Sequence, residues 1–233
     1  AVEDAHTPEP HEVFRNLTAI TPYNNALTWD NRGRVLVATW TTWSGYAQNV
    51  GNQVILTRDL WVTAVPDLQA FCEGYRPTPE ISLGARLNQL LGLPPEPIDA
   101  AANRQIVEIW VDPAFLFRPS PDPEITDHEA ELNFRSASEF ISVPLSYQHW
   151  FYAQYDQRYQ YSGQPITHDS VGTSGVLPYP WTQLGYTYDW GNPSDWMALD
   201  PNHPAEVGLS EFVIRQWSPI VVKATHSAAD YCR

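Results

Sequence analysis

The sequence predicts an α+β fold: a single domain with a mixed or mainly antiparallel twisted sheet, a few helices and long loops rich in aromatic residues and proline. Three observations predict it. Short runs of β-branched and aromatic residues recur along the chain in the manner of strands. Two segments, 83–91 and 145–161, carry helical periodicity instead. The 21 prolines, 10 tryptophans and 12 tyrosines of this 233-residue chain supply stiff loops and large side chains for a substantial core.

Residues 1–12, with Pro8, Pro10 and several acids, read as a flexible tail, and 13–233 as the domain. Val35 to Trp43, VLVATWTTW, reads as the first strand; Gln53 to Thr57 and Leu60 to Val65 follow, split near Arg58-Asp59. Pro66 ends strand pairing and suits a first helical turn, so Asp67 to Tyr75 is read as helix. Leu83, Leu87, Leu90 and Leu91 share one helical face; Gly92 ends that helix and Pro94-Pro95 blocks its continuation. Ile106 to Val111 is a strand closed by Asp112-Pro113, with Glu108 set among apolar neighbours. Residues 118–131 form an acidic, proline-rich loop, and Phe140 to Val143 a short strand. Leu145 to Tyr161 reads as helix, with Tyr147, Phe151, Tyr155 and Tyr159 as an aromatic stripe toward the core. Residues 162–206 hold many Gly, Pro, Asn and Asp and read as long ordered loops. Ser210 to Arg215 and Ile220 to Ala224 are the last strands, about a turn at Ser218-Pro219.

Charge bounds the partners. Thirteen basic against 27 acidic residues give a net charge of −14, a field that repels nucleic acid and anionic membranes. The uncharged stretch from Val35 to Thr57 is too rich in Thr, Asn, Gln, Ser and Gly to enter a bilayer, so no membrane insertion is expected. The chain opens at Ala1 with a polar, acidic segment that reads as a mature N-terminus after signal removal, which points to a periplasmic or extracellular protein. In such a compartment Cys72 and Cys232, the only cysteines, form a disulfide that ties the C-terminus back to the domain.

No G-x-S-x-G, P-loop, H-E-x-x-H or Gly-rich dinucleotide fingerprint is present, which disfavours four large enzyme classes. Two local sets carry chemistry of their own. Asp122, Glu124 and Asp127 in the acidic loop offer closely spaced carboxylates of the kind Ca²⁺ takes, with a solvated acidic loop as the plain alternative. Trp181, Tyr186, Tyr188, Trp190 and Trp196 stand among Asp189, Asp195 and Asn202. Aromatic faces beside carboxylates and amides suit a sugar or another neutral ligand; the same set equally suits a mini-core that staples the loop. This run, PYPWTQLGYTYDWGNPSDWMALDPNHP with VGLSEFVI after it, resembles stretches of exported bacterial proteins without an assigned activity.

An ordered triple adds a catalytic alternative. Glu12-Val13-Phe14-Arg15, then Leu60-Trp61-Val62-Thr63-Ala64-Val65, then Val207 to Val213 with Glu211, are similar in order and character to the mono-ADP-ribosyltransferase toxins. The resemblance implies NAD as cofactor or substrate, with Arg15 clamping its phosphates, Thr63 orienting the ribose, and Glu211 stabilising an oxocarbenium-like centre as nicotinamide leaves. The chain departs from that family where Ala64 and Val65 replace the second and third hydroxyls of its Ser-Thr-Ser, and where Leu209 precedes Glu211 by two positions. The leading expectation is therefore an exported binder of a small molecule, glycan or protein ligand through aromatic loops. An NAD-cleaving enzyme and a purely structural protein are the alternatives.

Overall fold

The computed structural model describes residues 1–76, 78, 80–95, 103–134, 143–161, 164–165, 179–192 and 206–232. Its centre is a seven-stranded sheet, built from β1 (Val35–Thr41), β2 (Gln53–Ile55), β3 (Leu60–Ala64), β4 (Gln105–Val111), β5 (Leu116–Phe117), β10 (Phe212–Ile214) and β11 (Pro219–His226). The strand order is β2-β11-β4-β1-β3-β10-β5, and every pairing is antiparallel. Two small pairs stand apart, β6 (Gln160–Tyr161) with β7 (Gln164–Pro165) and β8 (Tyr186–Tyr188) with β9 (Val207–Ser210). The helices are α1 (Val2–Ala5), α2 (Val65–Gly74), α3 (Leu83–Leu90), α4 (Leu145–Tyr159) and α5 (Ala228–Tyr231). The α+β class expected from sequence is what the structure has.

The strands form where β-branched and aromatic residues cluster, and both sheet faces are covered. Val35, Val37, Val62, Ala64, Val107, Ile109, Val111, Phe212 and Ile214 point to one face and meet Ile20, Leu27, Tyr46 and Ile125 from loops. Period-two alternation sends Leu36, Ala38, Trp40 and Ile106 to the other face. There they meet Leu68, Phe71 and Cys72 of α2 and Leu87 and Leu90 of α3. On that same face, but farther along the sheet, Trp61, Phe117 and Val213 pack with Tyr147, Phe151 and Tyr159 of α4 and with Trp181. The helical side of the sheet thus carries two separate core clusters, and the gap between them matters below.

Element bounds follow local chemistry. Helix α2 starts at Val65 with Pro66 in its first turn, where the missing N–H is no loss. Helix α3 is capped by Ser82, whose hydroxyl accepts from the Ala85 amide at 3.2 Å. The aromatic stripe of α4 enters the core through Tyr147, Phe151 and Tyr159. The β8–β9 pair was not expected: Tyr186-Thr187-Tyr188 is only three residues long and is flanked by turn-forming residues. Of the short strand expected at Phe140–Val143 only Val143 is described, outside any strand, and most of the expected 162–206 loops lie outside the described residues.

The segment read as a flexible tail has defined contacts. Ala5 is buried, Gln183 Nε2 donates to the Ala5 carbonyl at 3.2 Å, and Tyr188 Oη donates to Asp4 Oδ2 at 2.9 Å. Residues Pro10–Glu12 add a 3-10 turn whose Glu12 carbonyl accepts from Tyr186 Oη at 2.9 Å. At the other end, Cys72 of α2 is bonded to Cys232, with Cα atoms 4.6 Å apart, so α5 is tied to α2 as the cysteine count suggested.

One partly buried acid makes folding pH-dependent. Burial holds the Asp67 carboxyl above the usual carboxylate range, against the lowering effect of a hydrogen bond donated by Thr18 Oγ1 at 2.6 Å. A carboxyl with a raised folded pKa binds more protons folded than unfolded. Its stabilising share is full below the unfolded value of about 4 and is lost as pH rises through the higher folded value. Asp67→Asn keeps an acceptor for Thr18 and removes the titration. Urea midpoints measured from pH 4 upward are expected to fall less steeply in Asp67→Asn than in the wild type; identical slopes would refute the assignment.

Candidate functional site

The sheet register builds a row of three residues across three strands. Ala38 of β1 stands opposite Thr63 of β3, and Phe212 of β10 stands opposite Val62. One further step along the same register sets Glu211 beside Thr63, giving Ala38, Thr63 and Glu211 abreast on the helical side of the sheet. Thr63 Oγ1 donates to the Ser210 carbonyl at 2.9 Å, which fixes the approach to Glu211. The Glu211 amide donates to the Gly185 carbonyl at 2.9 Å, so the residue is held between the sheet and the aromatic loop.

This row is the floor of a cavity of about 170 Å³. It lies where the two core clusters part, with Ala38, Trp40 and Leu68 on the side of α2 and Trp61, Thr63 and Glu211 on the side of α4. Leu91 and Leu93, which follow α3, add to the wall together with Tyr179, Thr187, Thr39 and Val62. Several polar groups here are fixed by the fold. Trp40 Nε1 donates to Asn88 Oδ1 at 2.8 Å. Thr187 Oγ1 donates to the Leu90 carbonyl at 2.7 Å and accepts from the Leu209 amide at 2.9 Å. Gly208 permits that approach of β9 to the end of α3: a Cβ there would strike Thr187 Oγ1 and the Leu90 carbonyl. Glu211 Oε2 is shielded from solvent.

Two residues of the expected triple therefore meet, and the third is elsewhere. Arg15 is ion-paired with Glu129 and lines a different groove with Pro10, Val13, Glu129, Glu131 and Leu132. Its guanidinium belongs to the exposed surface near the acidic loop, where a pair of this kind contributes little.

The aromatic set divides. Trp181, Tyr186 and Tyr188 are buried, Trp190 is half-buried with Nε1 donating to the Leu93 carbonyl at 2.8 Å, and Trp196 lies outside the described residues. Tyr186 and Tyr188 line a wide groove of about 510 Å³ together with Glu3, Asp4, Glu9, Glu12 and Glu206. Burial first, and then Glu12, Glu206 and Asp4, push the Tyr186 phenol up. Burial, Asp4 and Glu206 do the same at Tyr188. Both hydroxyls stay protonated and donate to the N-terminal segment, so these rings act as a staple.

The acidic loop is wrapped around a cation of its own. Arg118 is fully buried; its Nε donates to the Glu124 carbonyl and its Nη2 to the Asp127 carbonyl, each at 3.0 Å. Asp127 Oδ1 lies 3.8 Å from Nη2, and Asp122 and Glu124 add to the field at the guanidinium. Of the carboxylates expected for calcium, Asp127 is the one beside Arg118, while Asp122 Oδ1 accepts from the Glu124 amide at 3.4 Å and Glu124 Oε1 from the Thr126 amide at 2.5 Å; no group of three or more His, Cys, Asp or Glu side chains is disposed for a metal among the described residues.

Sequence reasoning missed a second buried arginine. Arg86 of α3 is fully buried and makes two parallel bonds to Asp189, at 2.8 and 2.5 Å. A signal was present: Arg86 follows Leu83 by three positions and precedes Leu90 by four, which places it on the apolar face of the helix. No family model, curated protein or solved structure matches the chain.

Proposed function

We propose that the chain is an exported binding protein that holds a small molecule in the pocket between Trp40, Trp61 and Glu211. The observation that supports this most is the break in the core. The sheet's helical face is packed on both sides of the Ala38–Thr63–Glu211 row, yet the row itself opens on a cavity lined mainly by apolar and aromatic residues with a carboxylate among them. Such a lining, with a few placed polar groups, is the usual make-up of a small-molecule site. The volume of about 170 Å³ sits below the common range of about 300–1,000 Å³ and corresponds to a ligand displacing roughly six waters. The Cys72–Cys232 bond suits an oxidising compartment, and the net charge of −14 sets polyanions aside as ligands.

A second reading, cleavage of NAD, draws on the neighbouring Thr63 and Glu211. It would have to do without Arg15, whose groove is separate. One experiment bears on both. Saturation-transfer NMR is run with methyl glucoside, nicotinamide and choline on the wild type and on Leu93→Phe, which fills the pocket from its rim. Binding of at least one probe, lost in Leu93→Phe, is the expected result. Probes that bind both proteins equally, or none at all, would contradict the pocket reading. Release of nicotinamide from added NAD by the wild type, abolished in Glu211→Gln, would favour the second reading.

A further inference from the structure

We infer that the pocket takes a neutral, weakly polar molecule of a single ring; this rests on the pocket being the ligand site. Two independent observations set the class: the use already made of the lining's polar groups, and the room that remains. Trp40 directs its indole N–H to Asn88, and Thr63 its hydroxyl proton to the Ser210 carbonyl. Thr187 donates to the Leu90 carbonyl and accepts from the Leu209 amide. Trp61, Tyr179 and Glu211 have partners of their own. The fold itself engages these groups, so none of them depends on a ligand for its partner.

A charged or richly polar guest would give up its water here for little return, because burying a charge or a hydroxyl without a partner is costly. An anion finds no Arg, Lys or His among the described lining residues. A cation finds no carboxylate among them except Glu211, which is already engaged. A sugar would have to seat several hydroxyls against Ala38, Trp40, Leu68, Leu91 and Leu93. A hydrocarbon body escapes that cost and gains by leaving water for the same side chains. Size narrows the class further. The cavity of about 170 Å³ is close to the roughly 150 Å³ of an apolar cavity that accepts one benzene ring, and a fused second ring would overfill it. A ring also suits Trp40, since aromatic pairs add offset or edge-to-face contact to plain burial. Nicotinamide, of the three probes above, belongs to this class.

Charge and size can be varied separately on one ring. Titration calorimetry on the wild type compares benzyl alcohol with benzylammonium and benzoate, which differ from it in charge, and with 2-naphthylmethanol, which adds a ring. Benzyl alcohol is expected to bind about tenfold or more tightly than each of the other three, the least that burial of an unpartnered charge or an overfilled cavity implies. Its ring protons are expected to give NOEs to the Trp40 indole and the Leu93 methyls, and its binding to be lost in Leu93→Phe. No binding of benzyl alcohol, or equal binding of benzylammonium, benzoate or 2-naphthylmethanol, would overturn the inference. So would NOEs to Tyr186 and Tyr188 instead, which put the ring in the wide acidic groove. The affinity comparison and the NOEs use the wild-type chain, so they stand whether or not Leu93→Phe folds. If methyl glucoside or choline binds and is lost in Leu93→Phe while benzyl alcohol does not bind, the pocket reading survives and the ligand class alone fails. If benzyl alcohol binds Leu93→Phe as it binds the wild type, both fail.

Discussion

Arg86→Ala is expected to destabilise the fold by about 3–5 kcal/mol, and Asp189→Ala by a similar amount. Both side chains are out of reach of solvent and face each other in a two-bond arrangement, so removing either leaves its partner charged and buried. Further contacts raise the effect. Asp189 also accepts from the Gly191 amide at 2.9 Å, and the Arg86 guanidinium lies 5.1 Å from the centre of the Phe71 ring. Because the residues form one network, the double variant should cost clearly less than the sum of the two singles. Urea unfolding of the two single variants and the double measures this directly. Single losses below about 1 kcal/mol would show that the pair is far more hydrated than its burial implies. The consequence for the pocket is specific: Arg86 fixes α3 against β8, and the residues just after α3 include Leu91 and Leu93 of the pocket wall.

Loss of the disulfide is the second large effect. Cys72 and Cys232 are 160 positions apart, so their bond constrains a very long loop of the unfolded chain. Removing a bond of this kind costs about 2–5 kcal/mol. A loss near the middle of that range corresponds to a fall in Tm of roughly 6–14 °C for a domain of this size. Cys72→Ala/Cys232→Ala, and the wild type after reduction, should both show it by calorimetry. Helix α5 bears the local effect, because Tyr231 and Cys232 pack against the α2–α3 cluster only at the edge. A Tm within about 2 °C of the oxidised protein would mean that α5 docks without help from the bond.

How much of this could be read from the residues depends on what each element needed from its neighbours. The strands at Val35, Leu60 and Gln105 were legible because β-branched and aromatic runs at those places suit a pleated sheet covered on both faces, and the structure has them within two residues of the expected bounds. The strand Tyr186–Tyr188 was not legible, since its partner Val207–Ser210 lies far off in sequence and its own length gives no period. Thr63 and Glu211 were picked out through a family resemblance, and the register sets them side by side. Arg15 was picked out by the same resemblance, yet its position depends on how the irregular segment up to Leu17 runs along the acidic loop, where the Leu17 amide donates to the His128 carbonyl at 2.8 Å, which no local pattern encodes. Trp40 and Trp61 read as strand residues and pack into the core on one side; that they also border a cavity follows from where two clusters stop, a tertiary fact. Arg86 and Arg118 are the hardest case. Burial of an arginine is rare enough that composition argues against it, and only the partners Asp189 and the carbonyls of Glu124 and Asp127 make it tolerable.

The most direct test follows the indole N–H resonances of Trp40 and Trp61, assigned with Trp→Phe variants, as methyl glucoside, nicotinamide and choline are each titrated in, with the account read on whichever of the three binds. A ligand site between the two core clusters predicts that both resonances move along one saturable curve while those of the exposed Trp43 and Trp217 stay in place. A curve that appears only at Trp190, or at no indole at all, would contradict it.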